Sequence, residues 1–163
     1  MRRLSILLLA LAMAGFVFAA PDDRSRLIGA WKYVGEVDKT DDGQSIETKS
    51  CDGLLIYTAD GFMSAQVMPK GRPWAEDTAT LEDLRQWVGD ATAYSGRFEV
   101  DASAHTVTHL PSVSLEPGYQ EQRLVRAYAI EGNRLKLSGT FEAYGKKVRF
   151  TVTWERVGTR RVG

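Results

Sequence analysis

The chain has 163 residues, with 21 basic and 21 acidic side chains, two histidines and one cysteine. That length bounds it to one domain with a real core, and the even charge gives no polyanion-binding face. A lone Cys51 excludes an internal disulfide, and two histidines with one cysteine argue against a zinc site.

The first residues read as a leader rather than as structure. Arg2 and Arg3 precede an apolar run, Leu4 to Ala20, that ends in small residues. Val17-Phe18-Ala19 fits a signal-peptidase site, which predicts a leader over 1–19 and a mature chain over 20–163. The run is short for a membrane span and is followed by polar Asp22-Asp23-Arg24, so no stable membrane insertion is expected after cleavage. Arg2-Arg3 lacks the surroundings of a twin-arginine signal, and no Cys follows to carry a lipid. Without Arg2 and Arg3 the charges stand at 19 basic against 21 acidic, a net −2. The expectation is export to the periplasm or the medium. Arg160-Arg161 reads as a solvated tail, and no nucleic-acid partner is expected.

Strands then dominate. From Gly29 to Asp38, Trp31, Tyr33 and Val37 alternate with Lys32, Glu36 and Asp38, the pattern of a half-buried strand. Asp41-Asp42-Gly43 turns the chain into a polar strand, Ser45 to Lys49. Between Gly53 and Met68, two β-prone runs flank Ala59-Asp60-Gly61, a strong hairpin signal because the tight turn takes positive φ. Pro69 to Trp74 reads as a loop. A helix is predicted over about 80–91: Thr80 caps it, Glu82 and Asp83 sit in its first turn, and Leu81, Leu84, Val88 and Ala91 share a face, with Trp87 beside it. Such a face packs on something, and here only the strands are available.

The rest is a meander. Tyr94, Gly96, Phe98 and Val100 alternate with polar residues. His105 to Leu115 is a strand bent at Pro111, followed by Arg123 to Glu131. Gly132-Asn133 turns into Arg134 to Tyr144, with Leu135, Leu137, Gly139 and Phe141 on one face. The last strand carries Val148, Phe150, Val152 and Trp154 inward. Short antiparallel strands with turns every ten or so residues indicate a sandwich or a closed barrel.

The choice between them comes from a resemblance. Leu27-Ile28-Gly29-Ala30-Trp31, the 53–68 hairpin, Tyr94 to Asp101, Thr106-Val107-Thr108-His109, Val125-Arg126, Asn133 to Ser138 and Thr153-Trp154-Glu155-Arg156 follow one another as in the bacterial and fungal lipocalin-like domain family. The chain departs from that pattern at Leu110-Pro111, where relatives often carry a second His or a polar residue. The resemblance implies an all-β, single, antiparallel up-and-down barrel of about 8–10 strands, with one short capping helix and a ligand cavity. Lipocalin-type barrels carry Gly-x-Trp on the first strand and a late basic residue over that Trp. The resemblance thus implies structural roles for Trp31, Trp154 and Arg156, with Arg156 covering Trp31 by cation–π contact.

No standard catalytic or phosphate-binding motif occurs, and no cofactor is implied. His105 and His109 sit at i, i+4 on one strand and share a face, but at about 13 Å they stand too far apart to bind one metal. The chemistry then rests on polar and aromatic residues at inward parity. These are Tyr33, Tyr57, Ser64, Gln66, Met68, Trp74, Tyr94, His109, Arg126, Tyr128 and Phe141, expected to hold a small hydrophobic or amphipathic ligand. Ser64, Gln66 and Met68 face inward only if the alternate set Met63, Ala65 and Val67 faces out. Arg126 lies on the apolar face of its strand, where a buried guanidinium wants a partner. Its other placement is the rim, beside Glu121, Glu99 or solvent. No inward carboxylate is evident. Three functions remain: a binding module, a cavity enzyme of isomerase or cyclase type using Arg126 and His109, and a structural envelope barrel packed shut.

Overall fold

A computed structural model describes residues 22–47, 50–72, 78–89, 91–143 and 145–158. The expected leader, residues 1–19, and Trp74 lie outside these. Among the described residues are nine strands: β1 (Gly29–Thr40), β2 (Ser45–Glu47), β3 (Cys51–Tyr57), β4 (Phe62–Pro69), β5 (Thr92–Asp101), β6 (Thr106–Ser114), β7 (Leu124–Glu131), β8 (Arg134–Ala143) and β9 (Lys146–Arg156). Each pairs antiparallel with its neighbour in the order β2-β1-β3-β4-β5-β6-β7-β8-β9, and β9 returns to β1. β2 and β3 pair with the two ends of β1, so eight strands close the up-and-down barrel and β2 extends it along β1. Closure leaves no exposed edge in the ring.

One end is plugged. A five-residue helix, α1 (Asp23–Leu27), capped by Asp22, precedes β1. It was not foreseen in the sequence. Leu27 and Trp31 are fully buried, and the Trp31 indole donates to the Leu27 carbonyl at 2.8 Å. Arg156 lies over the Trp31 ring at 4.0 Å and donates to the carbonyls of Ile28, at 2.8 Å, and of Arg26. Gly29 makes room for it: its φ is +129°, and a Cβ there would stand 2.8 Å from the Arg156 Nη1. Tyr128, on β7, donates to Asp23 at 2.8 Å, and Arg26 donates to the Ile130 carbonyl at 3.1 Å. The helix is thus bolted to β7 and β9. Above it, Leu55, Tyr57, Phe98, Val107 and Leu135 form the core.

Three expectations are corrected. β1 does not keep its alternation. Its register on β9 runs Tyr33 to Trp154 and then Gly35 to Thr153, so Val34 is an extra, bulged residue. Trp31 and Tyr33 are buried, but beyond the bulge the faces exchange: Val37 is 52% exposed and Glu36 faces the interior. His105 is not in a strand; it sits in the β5–β6 turn with φ +51°, 3.7 Å from Asp23. The predicted helix forms as α2 (Leu81–Gly89), and Thr80 and Asp83 cap it reciprocally: Thr80 N donates to Asp83 and Asp83 N to the Thr80 hydroxyl. Yet none of its described side chains is buried, and Leu81, Leu84 and Val88 face solvent.

Candidate functional site

Above the plug the barrel is hollow. A cavity of about 480 Å³ opens at the end opposite α1. That volume is in the range of small-molecule sites. A barrel packed shut does not describe it. Leu55, Ala65, Val67, Leu137 and Val152 supply apolar wall, and Trp154, edge-on to Tyr33 at 5.6 Å, lies toward the floor.

The polar groups form one band around the wall, strand by strand. Tyr94 on β5 and His109 on β6 come first. The His109 ring is held on both nitrogens: the Tyr57 hydroxyl is 2.6 Å from Nε2 and the Tyr94 hydroxyl 2.9 Å from Nδ1. A neutral imidazole donates from one nitrogen and accepts at the other, so one tyrosine donates and the other accepts. Complete burial, and next the Arg126 charge, pull the His109 pKa from 6.5 down to about 3. It is neutral at physiological pH, with neither nitrogen spare for proton transfer. Burial raises both phenols, Tyr94 to about 12, and Arg126 opposes each shift.

Arg126 follows on β7. Its guanidinium stacks on the Phe150 ring of β9, 4.9 Å from the centroid, and donates to the Val125 carbonyl at 3.2 Å. Its charge also acts on Tyr94, against the upward shift that burial gives the phenol. To reach Phe150 it crosses β8 at Gly139. A Cβ at 139 would stand 2.7 Å from the Phe150 ring and 3.3 Å from the Arg126 Nη1. The missing side chain is the slot in which the guanidinium lies.

Past Phe150 the band ends in two carboxyl groups on β1. In register, Asp38 faces Phe150 and Glu36 faces Val152. Glu36 lines the cavity and shares a hydrogen bond with Asp38. Burial first, then the Asp38 charge, raise Glu36 from 4.5 to about 7, while Arg126 pulls the other way. Burial also raises Asp38, and its Oδ1 is buried without a hydrogen-bond partner among the described residues.

Of the residues expected in the pocket, Tyr33, Tyr94, His109, Arg126 and Phe141 line the cavity. Tyr57 sits one layer deeper, beneath His109. Ser64 and Gln66 are on the other face of β4: Ser95 donates to the Ser64 hydroxyl at 2.9 Å, and Gln66 is exposed. Met68 shares their parity and is not part of the wall, which takes Ala65, Val67 and Pro69 instead. Tyr128 belongs to the plug. One interior residue escapes the sequence reading, and a second has its place there but no use. Glu36 was placed outside because the bulge was not seen, although a glycine inside an alternating strand, Gly35, is the usual mark of one. Phe150 was placed inward without a role. Cys51, the lone cysteine, also lines the cavity.

Fold and site together define a closed β-barrel with an open, mainly apolar cavity and a short polar band. The lipocalin-like domain family model matches residues 28–157, which is the whole barrel, and the chain belongs to that family. No curated protein matches the chain at a significant level.

Proposed function

We propose that this is an exported binding protein whose cavity holds a small, largely apolar molecule with one anionic or strongly accepting end on Arg126. The observation that carries the reading is the guanidinium in the cavity lining, held over the Phe150 ring through the gap at Gly139. The leader-like segment at the N-terminus supports export. Burial of the ligand's body supplies affinity, and Arg126 with Tyr94 supplies orientation.

The test is a titration of wild type and Arg126→Met with decanoic acid and with decanol. A charge-assisted hydrogen bond is worth about 1.5–3 kcal/mol, so the acid should weaken roughly 10- to 150-fold and the alcohol hardly at all. Equal losses for both, or no binding of either to wild type, would sink the anchor.

A second reading keeps an observation of its own. A carboxyl with a pKa of about 7 facing a fixed cation is suited to proton transfer, and that group is Glu36, not His109. Uptake of deuterium from solvent at the α-carbon of a bound ketone, lost in Glu36→Gln, would support an enzyme. No uptake in wild type leaves the binding protein.

A further inference from the structure

Tyr57, His109 and Tyr94 form one hydrogen-bonded row, from β3 through β6 to β5, and the protons in it have a direction. Tyr57 is the buried end. It is 1% exposed, its ring packs on Phe98 with centroids 4.7 Å apart, and its hydroxyl has no partner but the His109 Nε2 among the described residues. Were Tyr57 to accept from Nε2, its own proton would be left unpaired in the core, the costliest arrangement open to it. Tyr57 therefore donates, and Nε2 is the bare nitrogen. The distances agree: 2.6 Å at Nε2 suits an O–H donor, and 2.9 Å at Nδ1 suits an N–H donor.

With Nε2 bare, the neutral imidazole carries its hydrogen on Nδ1 and gives it to the Tyr94 oxygen. The Tyr94 proton then has no acceptor among the described residues, and Tyr94 lines the cavity. A free hydroxyl turns to donate or to accept as its partner requires. The Tyr94 hydroxyl is committed, because the ring N–H holds its oxygen. Burial, which pushes the Tyr94 pKa to about 12, keeps its proton in place at physiological pH. We infer that Tyr57 and His109 make Tyr94 a dedicated hydrogen-bond donor to the occupant of the cavity, so that the site selects an end group that only accepts, a carboxylate before an alcohol. Tyr57, one layer below the lining, is a positioning residue that acts through His109. This rests on the cavity as the ligand site and adds to Arg126 a second donor whose sense is set from beneath.

The experiment has two arms. In the first, two-bond proton–nitrogen correlation spectra of the isotope-labelled full chain read which imidazole nitrogen carries hydrogen. The chain has two histidines, and His105→Asn assigns them. In wild type His109 should carry hydrogen on Nδ1 and none on Nε2, and in Tyr57→Phe that hydrogen should pass in part to Nε2. Hydrogen on Nε2 in wild type would overturn the direction of the row. An unchanged ring in Tyr57→Phe would overturn the role of Tyr57. In the second arm, decanoic acid and decanol are titrated into wild type and each tyrosine variant by calorimetry. Tyr94→Phe should hold the acid about tenfold more weakly, the worth of one hydrogen bond to a charged acceptor. Tyr57→Phe should weaken the acid several-fold and leave decanol unchanged, since an alcohol can donate to Tyr94 as readily as accept from it. If Tyr57→Phe fails to fold, the wild-type resonances and Tyr94→Phe still decide. Acid held equally by wild type and Tyr94→Phe, with Arg126→Met weakening it, would overturn the Tyr94 donor and leave the anchor standing. The reverse pattern would remove the anchor and keep the donor. No binding of the acid to wild type would overturn both.

Discussion

Gly139 decides whether a guanidinium can lie in this cavity, and it does so by having nothing to contribute. The spacing to Phe150 and Arg126 leaves no room for a methyl group. In Gly139→Ala the ring and the guanidinium must move, and overpacking of this kind costs about 1–3 kcal/mol. The expected outcome is a lower urea midpoint, together with a several-fold loss of the preference for decanoic acid over decanol. An unchanged preference would mean that Arg126 works without its stacking on Phe150. At this scale much was legible. Parity alone put Arg126, Tyr94, His109 and Phe150 inside. It placed Gly139 on the same face but gave no hint of its use, because close approach is a property of two strands and the sequence shows one. His109 was legible as a position and not as a chemistry: its two tyrosine partners come from β3 and β5.

Among the elements, the hairpin around Asp60-Gly61 and the last two strands could be read directly, since their alternation is unbroken. β4 could not be oriented, because both of its faces carry apolar residues: Phe62 and Met68 on one, Met63, Ala65 and Val67 on the other. The helix α2 shows the reverse failure. Its cap and apolar stripe are written in the sequence, but a stripe states which face is apolar and not what lies against it. The short helix α1 was missed because five residues are too few for a period. Its attachment is tertiary, through Arg156, Trp31 and Tyr128. Replacing Arg156 by Met removes a cation–π contact and two hydrogen bonds to carbonyls, and should cost about 2–3 kcal/mol. Urea unfolding followed by tryptophan fluorescence measures it. A loss below a few tenths of a kcal/mol would show that α1 and Leu27 hold the plug unaided.

For the molecule as a whole, the interior groups predict an unusual pH profile. His109 titrates near 6.5 when unfolded and near 3 when folded, so its contribution to stability is complete above 6.5 and is lost as pH falls toward 3. Glu36 has the opposite sign. Its folded pKa of about 7 exceeds the unfolded 4.5, so the native state binds more protons between those values and stability falls as pH rises through them. Between pH 4.5 and 6.5 the two slopes oppose each other, and wild type should be nearly flat in that range. Glu36→Gln leaves His109 alone and should slope upward with pH there. At pH 8 it should exceed wild type by about 1–2 kcal/mol, after allowing for solvent screening of a carboxyl only partly buried. Chemical denaturation at several pH values reads both slopes. Parallel wild-type and Glu36→Gln curves would show that Glu36 is not held away from its ordinary titration.

The bulge at Val34 works like a reading frame. Upstream of it the strand is read with odd residues inward, and downstream with even ones, so a single inserted residue decides whether the inward face of the strand spells Val37 or Glu36 and Asp38. The chemical character of the interior is therefore encoded in the length of β1 as much as in its letters. Two barrels with the same residues in this strand, differing by one residue at that point, would be an oil-lined cup and an acid-rimmed one.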